Sequence, residues 1–293
     1  TFAYEIIEGL NVNANFSLSN LVNYTYSFHT PFQVRDVTEE TDQYAFVSEY
    51  HNEFRRLNQE YTANYKFDLG KNSLDVLAGY QRIAEPYKET YAQGEGYKLD
   101  DDGNKVPAII LDNSFNTLNA FADGTYAASG TNAEYSLVSY FGRINYSYDD
   151  KYLFQASVRR DGSSKFGKNN RYGVFPSFAL GWKITDENFM KDQKIFDFLK
   201  LRMSWGQAGN DSALGYYDYV ALISQGKSQD DGGYVFGNPQ TSSLGSIARD
   251  LQNDDLQWET NTSSNYGLDF AFLDKKLSGA LNYYKSSTED LLI

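Results

Sequence analysis

The sequence predicts an all-β protein: an antiparallel transmembrane β-barrel wall of about ten strands. Three observations predict it. Apolar and polar residues alternate with a period of two over long stretches. Many of these stretches approach the roughly 9–11 residues that a tilted strand needs to cross a bilayer, whereas strands of water-soluble sheets are commonly nearer 5–6. The connections also sort by length, tight at one end of the strands and long at the other, as in membrane barrels.

The clearest element runs from Ser139 to Arg160. Tyr140, Gly142, Ile144, Tyr146 and Tyr148 share one face, with Phe141, Arg143, Asn145 and Ser147 opposite. After Asp149–Asp150–Lys151 the alternation resumes, with Tyr152, Phe154, Ala156 and Val158 against Gln155, Ser157 and Arg159. That is a β-hairpin. A second hairpin sets Tyr266, Leu268, Phe270 and Phe272 before Asp274–Lys275–Lys276, and Leu277, Leu281 and Tyr283 after it. A third sets Tyr61, Ala63, Tyr65 and Phe67 before Gly70–Lys71–Asn72, and Leu74, Val76, Ala78 and Tyr80 after it. Further strands are marked by Leu10 to Leu18, Phe178 to Ile184 and Leu199 to Trp205.

Successive antiparallel strands place their links at alternate ends. The three turns above fall on one side, and long links fall on the other, roughly over 83–134, 161–176 and 206–257. Short turns on the periplasmic side and long loops on the extracellular side are how a bacterial barrel is arranged. The link Thr185 to Phe198 is a longer connection on the short side, with room for a helical turn. The polar faces carry Arg143, Asn145, Gln155, Arg159, Lys183 and Arg202, together with Lys200 and Asp269. In a large barrel these point into a hydrated lumen; on a soluble sheet they face solvent.

Composition narrows the functional classes. The net charge of −13 over 293 residues repels phosphates, so no nucleic-acid partner is expected. No cysteine is present, which removes disulfides, thiolate zinc sites and a cysteine nucleophile. His29 and His51 are the only imidazoles, too few for a multi-histidine metal site. No basic–apolar leader opens the chain, and no long apolar run marks a membrane helix. Phosphate-binding loops, zinc spacings and a nucleophile elbow are absent, so neither a cofactor nor a catalytic site is expected. Paired carboxylates of a glycosidase are allowed by composition, but nothing places a pair in an apolar setting.

The stretch "YLFQASVRRDGSSKFGKNNRYGVFPSFALGWKITDENFM" carries a more specific signal. Its Arg159–Ser164 run, Phe166-Gly167, Asn170-Arg171-Tyr172-Gly173, Phe175-Pro176-Ser177 and Gly181-Trp182 resemble the SusC/RagA family of TonB-dependent outer-membrane transporters. "LKLRMSWGQAGND" and "LQWETNTSSNYGLDFAFLDKKLSGALNYYKSSTEDLLI" resemble the family's following strands. The resemblance covers 136–293 best, then 58–82. It implies a 22-stranded barrel enclosing an N-terminal plug, on which TonB pulls. It also implies a SusD-type surface lipoprotein as lid and an oligosaccharide or peptide as cargo. The whole of 1–293 is read as one partial barrel domain in the outer membrane, without plug, TonB box or N-terminal extension, reaching the TonB complex only through the missing plug. It stops at "EDLLI" and is expected not to transport alone, because open sheet edges are not tolerated in lipid.

The candidate ligand-binding residues are loop aromatics: Tyr87, Tyr91 and Tyr97 in one link, and Tyr216, Tyr217, Tyr219 and Tyr234 (with Phe236) in another. Aromatic faces beside Asn and Asp suit sugar rings; equally, such residues pack a compact loop or meet the lid protein. In "KLDDDGNKV" the alternating Asp100, Asp102 and Asn104 invite calcium, but Gly103 falls too early for the EF-hand pattern, and a hairpin tip fits better. The same holds for "SQDDGGYVFGNP". In the insert 159–177, Gly162, Gly167 and Gly173 are expected to make turns and Pro176 to begin a strand; the basic residues suit surface lipopolysaccharide phosphates or, the preferred reading, acidic loops nearby. A second reading, a soluble β-rich carbohydrate-binding or adhesin-like domain, explains the aromatics but not the sorted connections.

Overall fold

The computed structural model describes residues 1–29, 44–108, 117–121, 123–226, 234–236, 241–243, 245–248 and 252–292. The strands are β1 (Phe2–Ile7), β2 (Leu10–His29), β3 (Phe46–Leu69), β4 (Asn72–Glu95), β5 (Tyr97–Leu99), β6 (Lys105–Pro107), β7 (Thr125–Tyr148) and β8 (Tyr152–Ser163). They continue with β9 (Tyr172–Lys183), β10 (Phe198–Asn210), β11 (Ile223–Gly226), β12 (Tyr234–Phe236), β13 (Thr241–Ser243), β14 (Gly245–Ala248), β15 (Glu259–Phe272) and β16 (Leu277–Glu289). Ten of them form one antiparallel sheet in the order β1-β2-β3-β4-β7-β8-β9-β10-β15-β16. Each sheet strand thus pairs with its neighbour along the chain, and β1 and β16 are the two open edges. The six remaining short strands pair within the long links, β5 with β6, β11 with β14 and β12 with β13.

Two compact units are distinguishable: Thr1–Phe16, Asn58–Ile83 and Tyr135–Ile293 make one, and Ser17–Leu57 with Ala84–Glu134 the other. In the first, register sorts the side chains into two faces. Tyr146, Phe154, Leu180, Met203, Tyr266 and Tyr283 lie in one continuous row across β7, β8, β9, β10, β15 and β16. Phe154 is 40% exposed, Leu180 42% and Tyr266 51%. A contiguous apolar face of this extent, bare of protein, marks contact with something other than water. Among the described residues no helix is long and apolar enough to cross a membrane, so any crossing is made by strands.

The tight turns follow from their residues. Gly9 takes φ +81°, and a Cβ there would fall 2.1 Å from the Lys66 carbonyl oxygen, so only glycine fits. Asp149 and Asp150 both take φ 52°, which aspartate tolerates better than most residues. The Lys71 ammonium meets the Asp149 carboxylate at 2.9 Å and ties two neighbouring turns together. That contact holds the Asp149 carboxyl below its usual range, chiefly through the hydrogen bond from Lys71. The link between β9 and β10 holds two 3-10 turns, Ile184–Asp186 and Asn188–Met190, as its length suggested.

Three expectations are corrected. The strands outrun the predicted boundaries: β4 continues to Glu95, β7 starts at Thr125, β8 ends at Ser163, and β10 reaches Asn210. β3 starts at Phe46, well before the alternation that revealed it, and β1 lies beyond a turn that was not foreseen. Backbone pairing needs a partner strand, not an apolar–polar contrast, so polar extensions remain in the ladder. The insert is likewise mostly strand. Gly162 and Gly173 lie inside β8 and β9, where they make room for aromatic rings instead of turning the chain: the Tyr172 ring covers Gly162, and the Phe175 ring covers Gly173. Pro176 is inside β9, paired with Val158; the ladder toward β10 begins only at Ser177, so its missing N–H interrupts no bond there.

What remains of the insert is held by a small core. Phe166 is fully buried and its ring centroid lies 4.9 Å from that of Trp258; Phe175 meets Trp258 edge-on at 5.5 Å. Leu137, Leu214 and Leu256 pack around them. The Trp258 indole N–H donates to the Arg171 carbonyl at 3.2 Å. The buried Ser163 hydroxyl donates to Asp211 at 2.6 Å, and the Lys165 ammonium donates to the Asp211 carbonyl at 3.0 Å. Two of the basic residues find partners other than the acidic loops expected: Lys165 takes the main-chain carbonyl of Asp211, and Arg159 pairs with Asp161 two residues along β8 at 2.7 Å; Arg160 lies over the Tyr172 ring at 4.1 Å. In the second unit a smaller cluster joins Ala45, Val47 and Phe121 with Leu118.

Candidate functional site

In the second unit the odd positions of β4 read Tyr87, Glu89, Tyr91, Gln93, Glu95, and side chains two apart share a face of a strand. Their polar ends are linked in two groups. The Tyr87 hydroxyl donates to Glu89, and the Tyr50 hydroxyl reaches the same carboxylate at 2.9 Å from β3. The Tyr91 hydroxyl donates to Gln93, whose amide donates to Glu95. Hydrogen bonds from Tyr87 first, then Tyr50, hold the Glu89 carboxyl below the usual carboxylate range. Glu89 lies well beyond the stretch nearest the tight turn at Asn72 that would cross a bilayer.

Tyr91 and Tyr97 line one concavity of about 350 Å³ with His29, Gln93, Glu95 and Lys105. The Lys105 ammonium sits 4.2 Å above the Tyr97 ring, and the Tyr44 ring lies 5.5 Å from it on another side. Tyr87 is on the same strand face but outside this concavity. The arrangement offers aromatic faces beside fixed acceptors, which suits a hydroxyl-rich ring. The β5–β6 hairpin confirms the turn expected of "KLDDDGNKV": Asp100 accepts the backbone N–H groups of Asp102 at 3.0 Å and Asn104 at 2.8 Å. Among the described residues no group of acidic or imidazole side chains forms a metal site.

Tyr216, Tyr217 and Tyr219 lie between β10 and β11 in the first unit, so the structure does not gather them with the β4 tyrosines into one described site. Tyr216 and Tyr217 rings stand 6.4 Å apart, Tyr217 is exposed, and Tyr219 packs toward Gly167 of the insert. Tyr234 begins β12, and its side chain, like that of Phe236, lies outside the description. Most of "SQDDGGYVFGNP" also lies outside the described residues.

The six polar residues share one face of the sheet. Asn145 pairs directly with Gln155, Arg143 with Ser157, Arg159 with Phe141, Lys183 with Lys200, and Arg202 with both Gly181 and Gly267. Arg159 also donates to Ser139 at 2.7 Å and Gln81 at 3.0 Å, while its guanidinium lies 5.3 Å from the Phe141 ring centroid. Arg202 grips Asp269 through Nε at 3.0 Å and a second nitrogen at 3.1 Å. Sequence reading missed Tyr50 and Glu89 as members of these constellations. Period two along "YKETYAQGEGY" was the signal for Glu89; Tyr50 needed the pairing of β3 with β4.

A family model described as "TonB dependent receptor-like, beta-barrel" matches residues 2–293. The chain belongs to the TonB-dependent receptor β-barrel family. TonB-dependent receptor P3 of Formosa agariphila is 34% identical over 290 residues, covering 99% of this chain and 26% of that protein. TonB-dependent receptor SusC of Bacteroides thetaiotaomicron is 36% identical over 230 residues, 78% of this chain and 20% of SusC. A solved structure of the RagAB peptide transporter superposes with TM-score 0.77 at 26% identity, covering 99% of this chain and 29% of the chain compared. The SusC/RagA resemblance carried by the insert is thereby borne out. This TonB-dependent receptor chain spans about a quarter of the length of the curated relatives it matches, P3 at 26% and SusC at 20%.

Proposed function

We propose that the chain is part of the wall of an outer-membrane, TonB-dependent importer of oligosaccharides or peptides, capped by a SusD-type surface lipoprotein and coupled to the TonB complex through a plug. One observation carries the reading: the sheet has an exposed apolar face and an opposed polar face, with its tight turns and its long links at opposite ends. The apolar face meets lipid; the polar face, with Arg143, Asn145, Gln155, Arg159, Lys183 and Arg202, lines a watery lumen. The tyrosine clusters of the long links stand where cargo or the lid would first touch the protein.

The experiment uses the full-length protein that carries this chain, in its own cell. It fractionates with the outer membrane, and cargo uptake stops when the proton-motive force is dissipated; recovery as a soluble monomer overturns the assignment. Replacing Tyr216, Tyr217 and Tyr219 together by Ala is expected to weaken cargo binding by roughly tenfold or more, given about 0.5–1.5 kcal/mol for each aromatic contact. Unchanged affinity removes these three residues from the binding surface.

A further inference from the structure

The link between β9 and β10 is the longest connection at the tight-turn end of the sheet, and we propose that it is an interfacial anchor, dipping apolar side chains into the periplasmic leaflet of the membrane. Both of its ends are fastened to the outward, apolar face. At the β9 end the Glu187 carboxylate accepts the Tyr152 hydroxyl and the Trp182 indole N–H, the latter at 3.0 Å. Tyr152 and Trp182 pair directly across β8 and β9, two residues along from Phe154 and Leu180 of the apolar row, and so share its face. At the β10 end the Phe196 ring lies 5.0 Å from that of Phe272, which is on the same face of β15 as Tyr266.

Between these fastenings the link has a set shape. Its two 3-10 turns are followed by a knot around Gln193, whose amide donates to the Phe196 carbonyl at 2.7 Å and whose oxygen accepts the backbone N–H groups of Ile195 and Phe196, both at 2.8 Å. The Asp197 N–H then donates to the Ala271 carbonyl at 2.9 Å, and the Asp197 carboxylate accepts the Lys275 N–H at 2.9 Å. Held in this way, the link leaves Phe189 and Ile195 each 68% exposed. In water both side chains would gain by folding back onto protein, yet the hydrogen bonds hold them outside it.

Lipid is the occupant that this placement fits. Tyrosine and tryptophan at the end of a membrane strand sit at headgroup level, so a segment bonded to both lies at that depth. Its apolar side chains then reach the boundary of headgroups and acyl chains, about 5–10 Å into the leaflet. The exposed Lys191, Asp192 and Lys194 stay among headgroups and water. The fastenings lie on the face opposite Arg143 and Arg202, so nothing enclosed by a barrel touches them, and the anchor continues the contact that the apolar row makes. The proposal rests on the importer reading in that this row must meet lipid.

The test is electron spin resonance of the purified full-length protein in phospholipid vesicles. Any native cysteine is replaced, and one nitroxide at a time is attached through Phe189→Cys, Ile195→Cys, Phe154→Cys or Asp150→Cys. Phe189 and Ile195 are exposed, so labelling them removes little packing. Labels at 189 and 195 collide with oxygen in preference to a water-soluble nickel chelate, with a ratio severalfold above that at 150 in the tight turn and below that at 154 in the apolar row. A ratio at either position equal to that at 150 overturns the proposal. So does a label shielded from both reagents, which marks protein as the cover. A high ratio at 154 with low ratios at 189 and 195 removes the anchor and leaves the importer reading standing; a ratio at 154 that itself matches 150 overturns the lipid assignment and the anchor together. In intact cells, benzoylphenylalanine in place of Phe189 captures phospholipid on illumination, and capture of a periplasmic protein in its stead overturns the proposal.

Discussion

Ala156→Arg destabilises the full-length protein by about 2–4 kcal/mol when it is refolded into lipid vesicles, while Gln155→Arg, one residue away, changes it little. Ala156 sits on the apolar face, paired with Ile144 on β7 and Phe178 on β9; Gln155 sits opposite Asn145 on the polar face. Few packing contacts are removed at Ala156, so the effect isolates the cost of placing a guanidinium in hydrocarbon. Ala156 lies four residues from the end of β8 at Tyr152, near the middle of a crossing of about ten residues. Denaturant titration of both variants reads the difference. On a sheet bathed in water both substitutions would be surface changes within about 0.5 kcal/mol of neutral, and such a result would falsify the lipid assignment of this face.

Trp258→Ala is the second large effect. Trp258 joins Phe166, Phe175 and the three leucines, and its N–H holds the Arg171 carbonyl. Truncating a buried tryptophan typically costs about 3–5 kcal/mol. The loss falls on the loop core and not on the apolar row, so the expected result is local. Amide exchange and protease cleavage rise around Ser163 to Tyr172, while the strands nearest the tight turns stay protected. Uniform loss of protection along β7 to β10 would show instead that this core is needed for the whole sheet.

The faces of the sheet were legible because period two survives in a single strand: Tyr146, Phe154 and Leu180 needed no knowledge of their neighbours. The lengths of the strands were not. Beyond Ile83 the alternation of β4 fades, with small residues and a proline (Ala84, Pro86, Ala92, Gly94) on one face and Glu85, Tyr87, Glu89 and Gln93 on the other, and only pairing with other strands reveals that the chain stays extended. β1 was hidden by its brevity and by a turn at Glu8–Gly9 that carries one glycine and no other turn residue. Lys183, Lys200, Arg202 and Asp269 announced themselves as polar-face residues, but that Lys200 opposes Lys183 while Arg202 takes Asp269 depends on the register of three strands. The glycines misled for a related reason: alone they read as turns, and only the rings of Tyr172 and Phe175 above them show that they are clearances. Of the candidate tyrosines, Tyr91 on β4 and Tyr97 on β5 line one described concavity, and that meeting depends on the break between the two strands, which period two does not show.

That every sheet strand pairs with its chain neighbour has a consequence for the order of assembly. Forming a pair costs the entropy of closing the chain between its strands, which grows only with the logarithm of length. β8 and β9 are separated by the short stretch between Ser163 and Tyr172, whereas β10 and β15 are separated by about sixfold more chain. The longer closure costs about 1.6 kcal/mol more. The β7–β8–β9 meander therefore nucleates as a unit, and the β15–β16 hairpin, itself local, docks onto β10 later. Pulse-labelled hydrogen exchange during refolding would show β8 amides protected before those of β10 that face β15; simultaneous protection would rule this sequence of events out.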